Sequence, residues 1–524
     1  MNKPPRAHPL RIVLIILLIA GAVIRLVYLY HFRDSAFFNP YLMDKHDQKT
    51  FILWANQIKQ HPWYVNGQPF YMAPLYPYFL ALLLTLTGDN LASVLFIQLL
   101  FDLFTCYLLF LLGRQIGGVR TGIIAAGLGC FYRTFIVYSG TFLSDGLITW
   151  FYVGFITTAL WASKNNRFFP WVLTGILLGL AILAKPTIAL YFPFLLAGLV
   201  LSVYFKSETV LATNQQKKVP VERKSTGRLM ISLRNFVGVV LFSSLAVLPV
   251  TWRNFSVSHQ FVPICTNGPV NWAIGNSSDS LGLFCYPRGD LLSPLSLAFW
   301  KLQLTKTMLF FTSYEWPQNL NVYLLEQIIP VLKVAFVRFG LVVPLGMAGL
   351  FLLAFNWRRN FLFLTFTLTN IAWVILFFIT DRYRLPAVAC LMVSAAYCLV
   401  WTFDHIGKWK ALACLWAGIG LFAYFFNTIP GPKIPDIYIK IFAGLSKKNV
   451  TQDLVDRNLK KAYREALTFV RLQPNSADAH FLMACVLEQL GHREAAIQAL
   501  QRTLELDPHF NSASNFLQEL KSLR

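Results

Sequence analysis

Long apolar runs with few charged residues recur from the start of the chain to about residue 427. A run of about 20 such residues is long enough to cross the roughly 30 Å hydrocarbon core of a bilayer as a helix. Charged residues make up 13% of the 524 residues and hydrophobic residues 56%, with a mean hydropathy of +0.52, whereas a soluble domain carries about 25% charged residues. We therefore predict an all-α, polytopic membrane protein, and an ordinary soluble enzyme is excluded.

The number and direction of the crossings follow from run length and charge. The run from Pro74 to Thr87 is not counted as a crossing. It is about 14 residues long, which is typical of an interfacial or re-entrant helix. About 11 transmembrane helices are predicted, at 11–31, 91–113, 120–138, 143–163, 168–185, 187–205, 235–252, 329–354, 361–380, 386–403 and 410–427.

Charge bias orients these crossings. With a cytoplasmic N-terminus, the short basic connections and a basic loop at about 206–234 collect on the cytoplasmic side, as expected for membrane proteins. These connections contain Arg114 and Arg120, Lys164 and Arg167, Arg358 and Arg359, and Lys408 and Lys410. The first apolar segment has no convincing cleavage site after it, so we interpret it as a retained signal anchor.

This topology leaves two long outer loops, at about 32–90 and 253–328, and loops of this length usually carry function. Cys265 and Cys285 share the second loop. They can pair as a disulfide in an oxidising compartment, or both can remain free buried thiols. The net charge of +22 fits the basic loops of a membrane protein, so no nucleic-acid partner is expected.

The chain changes character after about Lys447, where acidic and basic residues are nearly balanced and no further apolar run occurs. A 34-residue period relates Ala462, Leu472 and Pro474 to Ala496, Leu506 and Pro508, with Gly491 at the turn between paired helices. This pattern resembles tetratricopeptide repeats (TPR). We predict a transmembrane domain over 1–430, a linker over 431–450 and a small TPR-like α-helical domain over 451–524. The repeats either recruit a protein partner or pack against the outer loops.

A surface helix is predicted directly after the first span, beginning at Asp47. Its apolar stripe consists of Phe51, Trp54, Ala55 and Ile58, as for a helix lying along the membrane. A carboxylate at this boundary can accept a proton from an incoming hydroxyl group or hold a divalent cation. The alternative is that Asp47 or Asp44 simply caps the helix.

Short motifs occur in a defined order along residues 40–430. They are Asp47, Phe51 and Ala55, then Pro74-Leu75-Tyr76-Pro77, Tyr138-Ser139-Gly140, Leu143-Ser144-Asp145, Lys185-Pro186-Thr187, Trp252-Arg253-Asn254, Asn271-Trp272-Ala273-Ile274-Gly275-Asn276, Glu315-Trp316-Pro317-Gln318-Asn319 and Arg382-Tyr383-Arg384-Leu385-Pro386. In this order they resemble the motifs of the GT-C glycosyltransferases, in particular glycosyltransferase family 39, the protein mannosyltransferase and lipid A aminoarabinose transferase group. The acid pair usual in that family is absent, because Lys45 and Gln48 follow the two aspartates. Asp47 is the preferred catalytic residue for its distance to Ala55, and Asp44 is the alternative.

The resemblance implies a GT-C fold and an inverting transfer of a sugar from a polyprenyl- or dolichyl-phosphate carrier to a protein or glycolipid acceptor on the outer face. A carboxylate acts as general base, and the departing lipid phosphate needs positive charge. Four basic residues at predicted outer membrane edges are candidates for that charge, and simple interfacial anchoring is the alternative. They are Arg382, Arg384, Arg253 and Lys185, with the Arg-Tyr-Arg turn preferred.

Three further residues, Asp145, Glu315 and His46, are candidates for contacting the acceptor or a metal ion. Asp145 can instead pair with Arg133 or Lys185, and Asp102 is predicted to be structural, paired inside the helix bundle. No His/Cys cluster has metal-ligand spacing and no nucleotide-binding loop occurs in the sequence. A divalent cation is therefore the one cofactor left open.

Two other classes of protein remain open. A transporter or flippase would place ionisable residues near the bilayer midplane, whereas the informative polar residues here crowd at the predicted outer rim. A non-catalytic scaffold using its repeats fits the missing acid pair. The predicted location is a bacterial inner (plasma) membrane, with the N-terminus cytoplasmic and the TPR-like domain periplasmic, although an endoplasmic-reticulum enzyme would look similar.

Overall fold

The computed structural model describes residues 7–43, 46–63, 67–165, 167–213, 221–428 and 436–522. Across these ranges the secondary structure is helical, and β-pairing is confined to isolated bridges. The predicted all-α fold class is confirmed.

The helices alternate between long apolar segments and shorter connecting ones. Short 3-10 helices lie at Pro40–Leu42, Pro186–Tyr191 and Pro330–Lys333. The α-helices are α1 (Ala7–Phe32), α2 (Asp47–Gln60), α3 (Leu75–Thr87), α4 (Leu91–Gly117), α5 (Val119–Cys130), α6 (Arg133–Ser139), α7 (Asp145–Ser163), α8 (Phe169–Ala184), α9 (Phe192–Thr213), α10 (Val221–Ser258), α11 (Gly268–Asn276), α12 (Leu297–Phe311), α13 (Val322–Ile328), α14 (Phe339–Ala354), α15 (Trp357–Leu376), α16 (Asp381–Asp404), α17 (Trp409–Asn427), α18 (Asp436–Val455), α19 (Leu459–Leu472), α20 (Ala477–Gln489), α21 (Arg493–Leu506) and α22 (Asn511–Ser522).

Within the described ranges, 7 helices are long and apolar enough to cross a membrane, namely those of α1, α4, α7, α10, α15, α16 and α17. Shorter apolar helices at α5, α8, Pro186–Ser202 and α14 occupy the other predicted crossings. The short run after Pro74 forms α3, of 13 residues. The multi-pass membrane character is confirmed, while the count of eleven crossings stays a prediction.

Two predicted crossings have different limits in the structure. The run 120–138 is broken after Cys130, because the backbone at Phe131 and Arg133 pairs with Val337. The Arg133 amide donates to the Val337 carbonyl at 3.2 Å, and the Val337 amide donates to Phe131 at 3.2 Å. Backbone groups bonded in this way cannot continue a helix ladder, so α14 also begins later than predicted, at Phe339.

The chain forms two compact units. The first comprises Met1–Arg25, Leu53–Gln318 and Val334–Gly431, and the second comprises Leu26–Ile52, Asn319–Lys333 and Pro432–Arg524. The predicted boundaries at 430 and 450 stay a prediction, and the structure has a helix, α18, over much of the segment assigned to the linker.

Helix α16 lies at the centre of the first unit, where it packs against α4, α5, α7, α14 and α15. Small residues allow α14 and α16 to pack closely. A Cβ atom on Gly349 of α14 would collide with the carbonyl oxygen of Ser394, and one on Gly346 would lie 2.9 Å from Leu391 Cβ. Glycines let membrane helices approach backbone to backbone, so α16 has a tightly defined position in the bundle.

A buried ion pair joins α1 to α4 in the first unit. Arg25 Nε donates to Asp102 Oδ2 at 2.7 Å, and the two side chains are 1% and 5% exposed. Arg25 Nη1 also donates to the carbonyl of Cys130 at 2.9 Å. The prediction that Asp102 is paired inside the bundle is confirmed.

Replacing Asp102 should strongly destabilise the first unit. Asp102→Ala leaves the Arg25 charge buried without its counter-ion, which costs about 3 kcal/mol or more. We expect a lower melting temperature of the detergent-solubilised protein, followed by tryptophan fluorescence, and a partial recovery in the double variant Arg25→Leu/Asp102→Leu. Asp404→Ala is the control, because the Arg120–Asp404 pair is 53% and 42% exposed and such pairs contribute about 0–1 kcal/mol. Equal losses in Asp102→Ala and Asp404→Ala would contradict this account.

The C-terminal helices of the second unit pack in sequential order, with α18 on α19, α19 on α20, α20 on α21 and α21 on α22. Ala462 and Ala496, which are related by the 34-residue period, are both fully buried. Gly491 has φ +80° in the turn between α20 and α21, a backbone conformation that favours glycine. The assignment of this stack as TPR stays a prediction.

The stack contains a buried acid, Glu465, which is 3% exposed and accepts a hydrogen bond from Asn449. Burial raises the pKa of Glu465 from 4.5 to about 8, and the neighbouring Asp453 and Asp34 add to the rise while Lys461 opposes it. Between pH 4.5 and about pH 8 the Glu465 carboxyl keeps its proton in the folded state and loses it in the unfolded state. The stability of the fold therefore falls as pH rises through this window.

This titration predicts pH-dependent opening of α18 and α19. From pH 6 to pH 8 the opening free energy should fall by about 2 kcal/mol. Glu465→Gln should remove most of that slope because its amide does not ionise. Hydrogen exchange of the full chain, with labelling times corrected for pH, measures both slopes, and equal slopes in the two proteins would refute the assignment.

Candidate active site

Asp47 is the first residue of α2, as predicted, and is half-buried in the second unit. Its Oδ2 atom accepts a hydrogen bond from the Asn319 side-chain amide at 2.7 Å. The predicted stripe, Phe51, Trp54, Ala55 and Ile58, is buried. Asp44, the alternative catalytic residue, lies outside the described residues.

Asn319 organises this acidic position. Its backbone is left-handed, with φ +67°, a conformation that asparagine tolerates better than most residues. Its carbonyl oxygen lies 2.6 Å from His46 Nε2, and its side chain binds Asp47. The sequence motif from Glu315 to Asn319 contains this residue, but spacing alone does not single it out. His46 is thus hydrogen-bonded to the backbone, beside the proposed base.

A second group of charges lies at the ends of α7 and α16 in the first unit. Asp145 Oδ2 is 3.6 Å from Arg382 Nη1, and the two side chains are 3% and 6% exposed. Asp145 also attracts Lys185 electrostatically. The sequence left Arg133 or Lys185 as ion-pair partners for Asp145, whereas the structure places it against Arg382.

Lys185 and Arg382 share the ring of Tyr383. Lys185 Nζ is 3.6 Å from the ring centroid, and Arg382 Cζ is 5.0 Å from the same centroid. An aromatic face attracts a cation without neutralising it. Two cations therefore converge on one aromatic side chain beside one buried carboxylate, an arrangement suited to an anionic ligand.

Asp381 joins this group although the sequence motifs do not include it. It is fully buried, and its Oδ1 atom accepts hydrogen bonds from the Tyr138 hydroxyl at 2.8 Å and from the Arg382 amide at 2.7 Å. Arg382 Nε donates in turn to Gln318 Oε1 at 3.2 Å. The only signal in the sequence is its position directly before the Arg-Tyr-Arg turn.

Glu315 is 1% exposed and is tied to the segment around α6. Its Oε1 atom accepts from the Tyr132 hydroxyl at 3.1 Å and from the Thr134 hydroxyl at 2.8 Å. These bonds connect the loop at about 253–328, predicted to be an outer loop, to the break between α5 and α6. The arrangement favours a role for Glu315 in shaping the loop.

Arg384 and Arg253 bind backbone carbonyls. Arg384 donates to Leu309 at 2.6 Å and to Tyr314 at 3.0 Å. Arg253 donates to Trp63 at 3.0 Å and to Gln68 at 2.5 Å. Both guanidinium groups thereby donate to backbone carbonyls, in α12 and in loops, and Lys185 and Arg382 share the Tyr383 ring.

Cys265 and Cys285, in the second predicted outer loop, are both free thiols in the structure. Cys265 Sγ lies 3.4 Å from Asn267 Oδ1, and Cys285 is exposed. Their pairing stays a prediction. Among the residues that the structure describes, no group of three or more His, Cys, Asp or Glu side chains could hold a metal ion.

The fold and these charged groups define a multi-pass membrane protein with acidic and basic clusters near the ends of apolar helices. Residues 68–213 match the family described as dolichyl-phosphate-mannose-protein mannosyltransferase. The predicted resemblance to the protein mannosyltransferase group is confirmed over this region, and the match supports a glycosyltransferase class. No curated protein matches the chain.

Solved structures similar to the chain include the following two. An oligosaccharyltransferase of Archaeoglobus fulgidus has 15% identity and a TM-score of 0.45, with 85% of this chain and 58% of that chain covered. ArnT of Cupriavidus metallidurans, in the apo state, has 14% identity and a TM-score of 0.43, with 93% and 79% covered. The chain thus spans less than two thirds of the oligosaccharyltransferase.

Arg384, which binds backbone carbonyls, and Lys185, which lies over the Tyr383 ring, should respond differently to substitution by a neutral residue. Arg384→Gln breaks hydrogen bonds from a charged group to carbonyls, each worth about 1.5–3 kcal/mol, so the melting temperature should fall. Lys185→Gln removes a cation–π contact worth about 0.5–2 kcal/mol and should affect stability less. Thermal unfolding of the two purified variants tests this order, and a larger loss in Lys185→Gln would contradict it.

Proposed function

We propose that the protein is a membrane glycosyltransferase that moves a sugar from a polyprenyl- or dolichyl-phosphate carrier to a hydroxyl group of a protein or glycolipid acceptor. The observation that carries the proposal is the hydrogen bond that orients the Asp47 carboxylate at the start of α2. The family match over residues 68–213 supports the class of donor, because its description names a dolichyl-phosphate sugar.

Asp47 is the proposed general base. A hydrogen bond from the Asn319 amide stabilises the ionised carboxylate and restricts its rotation. As the acceptor oxygen forms its bond to the anomeric carbon, the hydroxyl proton passes to Asp47. The bond from that carbon to the carrier phosphate breaks at the same time, and the phosphate leaves with the electron pair. Attack opposite the leaving group inverts the configuration.

Lys185 and Arg382 are the proposed donors to the carrier phosphate. Phosphate is bound well by guanidinium groups, which donate two parallel hydrogen bonds, and by the point charge of lysine. Asp145 lies against Arg382 and attracts Lys185, so it fixes the direction of these cations. Arg253 and Arg384 bind carbonyls of the outer loops, and we propose that they shape the site around the donor.

The proposed location is a bacterial inner membrane with a cytoplasmic N-terminus and an outer, periplasmic active face. The basic connections between helices support this orientation. The C-terminal helices then lie on the side of the acceptor, where a TPR-like surface can bind a protein partner. Asp145, Glu315 and His46 stay candidates for acceptor or metal contacts.

Asp47→Asn should abolish transfer. An amide cannot accept the proton, and loss of a general base typically costs about 10²–10⁴-fold in rate. Asn319→Ala should cost less, about tenfold, because the carboxylate remains but loses its hydrogen-bond donor. The measurement is transfer of radiolabelled sugar from endogenous lipid carriers in membranes with matched expression, with and without a chelator.

One variant serves as a control for this experiment, and a second tests the alternative base. Asp89→Asn should leave the rate unchanged, because Asp89 is 62% exposed and its ion-pair partner is Lys59. Asp44→Asn tests the alternative base. Full activity in Asp47→Asn together with loss in Asp44→Asn would move the base to Asp44. No carrier-dependent transfer by the wild type would favour a transporter or scaffold.

A further inference from the structure

The second unit contains both Asp47 and the C-terminal helices. Between α1 and α2 runs a loop, residues 33–43, which leads into the start of α2 at Asp47. Helix α18 packs against the 3-10 turn Pro40–Leu42 of this loop. The sequence places these segments about 400 residues apart, so no periodicity or motif pairs them.

A buried amide makes the first specific contact. Asn449 of α18 donates from Nδ2 to the carbonyl oxygen of Ala36 at 3.1 Å, and the two residues are 5% and 1% exposed. The same amide lies 3.2 Å from Glu465 Oε1 on α19. One side chain thus joins both helices to the loop backbone, and a buried carbonyl that loses its donor costs about 1–3 kcal/mol.

An ion pair makes the second contact. Arg464 Nη1 of α19 lies 2.6 Å from Asp34 Oδ2, with the side chains 53% and 16% exposed. An exposed pair of this kind contributes about 0–1 kcal/mol to stability. Its geometry still selects one orientation of the loop, because Asp34 and Ala36 are then both held by the C-terminal helices.

One hydrogen bond lies within the loop and a second connects the loop to the start of α2, where Asp47 lies. The Asn39 side chain accepts from the Tyr41 amide at 3.1 Å at the start of the turn. At the end of the loop, the buried Gln48 side chain donates to Met43 Sδ at 3.2 Å. These bonds link the turn that α18 contacts to the first residues of α2.

We propose that the C-terminal helices act in cis as a positioning device for the catalytic loop, with Asn449 and Arg464 as positioning residues for Asp47. The proposal rests on the proposed function, in which Asp47 is the base. It gives the helices a role in the enzyme's own turnover. A misplacement of a catalytic group by about 1 Å can cost about a hundredfold in rate, so weak contacts at this loop are sufficient to set kcat.

The test compares Asn449→Leu and Arg464→Asp in the full chain with the wild type. Leucine has nearly the shape of asparagine but donates no hydrogen bond. Both variants should lower kcat about tenfold or more and leave the donor KM unchanged, measured with titrated lipid extract that contains radiolabelled lipid-linked sugars. The charge swap Asp34→Arg/Arg464→Asp should restore most of kcat. Hydrogen exchange should increase in residues 33–43 while α20–α22 stay protected.

Lys447→Ala is the matched control, because the Lys447–Asp478 pair is 59% and 47% exposed and lies within the C-terminal helices. It should leave kcat unchanged. Unchanged kcat in both positioning variants, with Asp47→Asn inactive, would overturn the inference and keep the proposed function. A fall in kcat without rescue by the charge swap, or with loss of protection in α20–α22, would also overturn it. An active Asp47→Asn would instead defeat the proposed function.

Discussion

Every ionisable side chain buried in an apolar helix bundle must find a partner, and this constraint organises the protein. Arg25 and Asp102 satisfy it between α1 and α4, and Asp145 and Arg382 satisfy it between α7 and α16. Such pairs are costly to break, so each joins its helices at a defined register. The close contact at Gly346 and Gly349 then holds α16, with Arg382 in its first turn, against α14.

The same constraint separates the basic residues by the groups that they contact. Arg384 and Arg253 donate hydrogen bonds to backbone carbonyls, while Lys185 and Arg382 share the ring of Tyr383. Sequence position cannot make this distinction, because all four residues lie at predicted membrane edges. It depends on tertiary contacts with residues that are far away in the sequence. For the same reason Lys306, whose amine donates to the carbonyls of Leu376 and Phe377, carries no signal in the sequence.

Features that depend on local pattern could be predicted, whereas features that depend on tertiary contact could not. Apolar runs predicted the long helices and the short α3, and the spacing after Asp47 predicted the start and the buried stripe of α2. The break at Phe131 arises from pairing with Val337, far along the chain. Likewise, the bond of Asn319 to Asp47 in the second unit and that of Tyr138 to Asp381 in the first are side-chain contacts that no spacing rule encodes.

The C-terminal helices illustrate how a local pattern can be interpreted in two ways. The 34-residue period predicts a stack of helix pairs, and such stacks usually bind partners through their concave face. In the structure, α18 and α19 direct an amide and a guanidinium group toward the loop before Asp47. These contacts use the first two helices of the stack, so the repeat has a structural consequence within the chain itself. The period predicts that the helices stack, whereas the side chains of Asn449 and Arg464 decide what the first two helices contact.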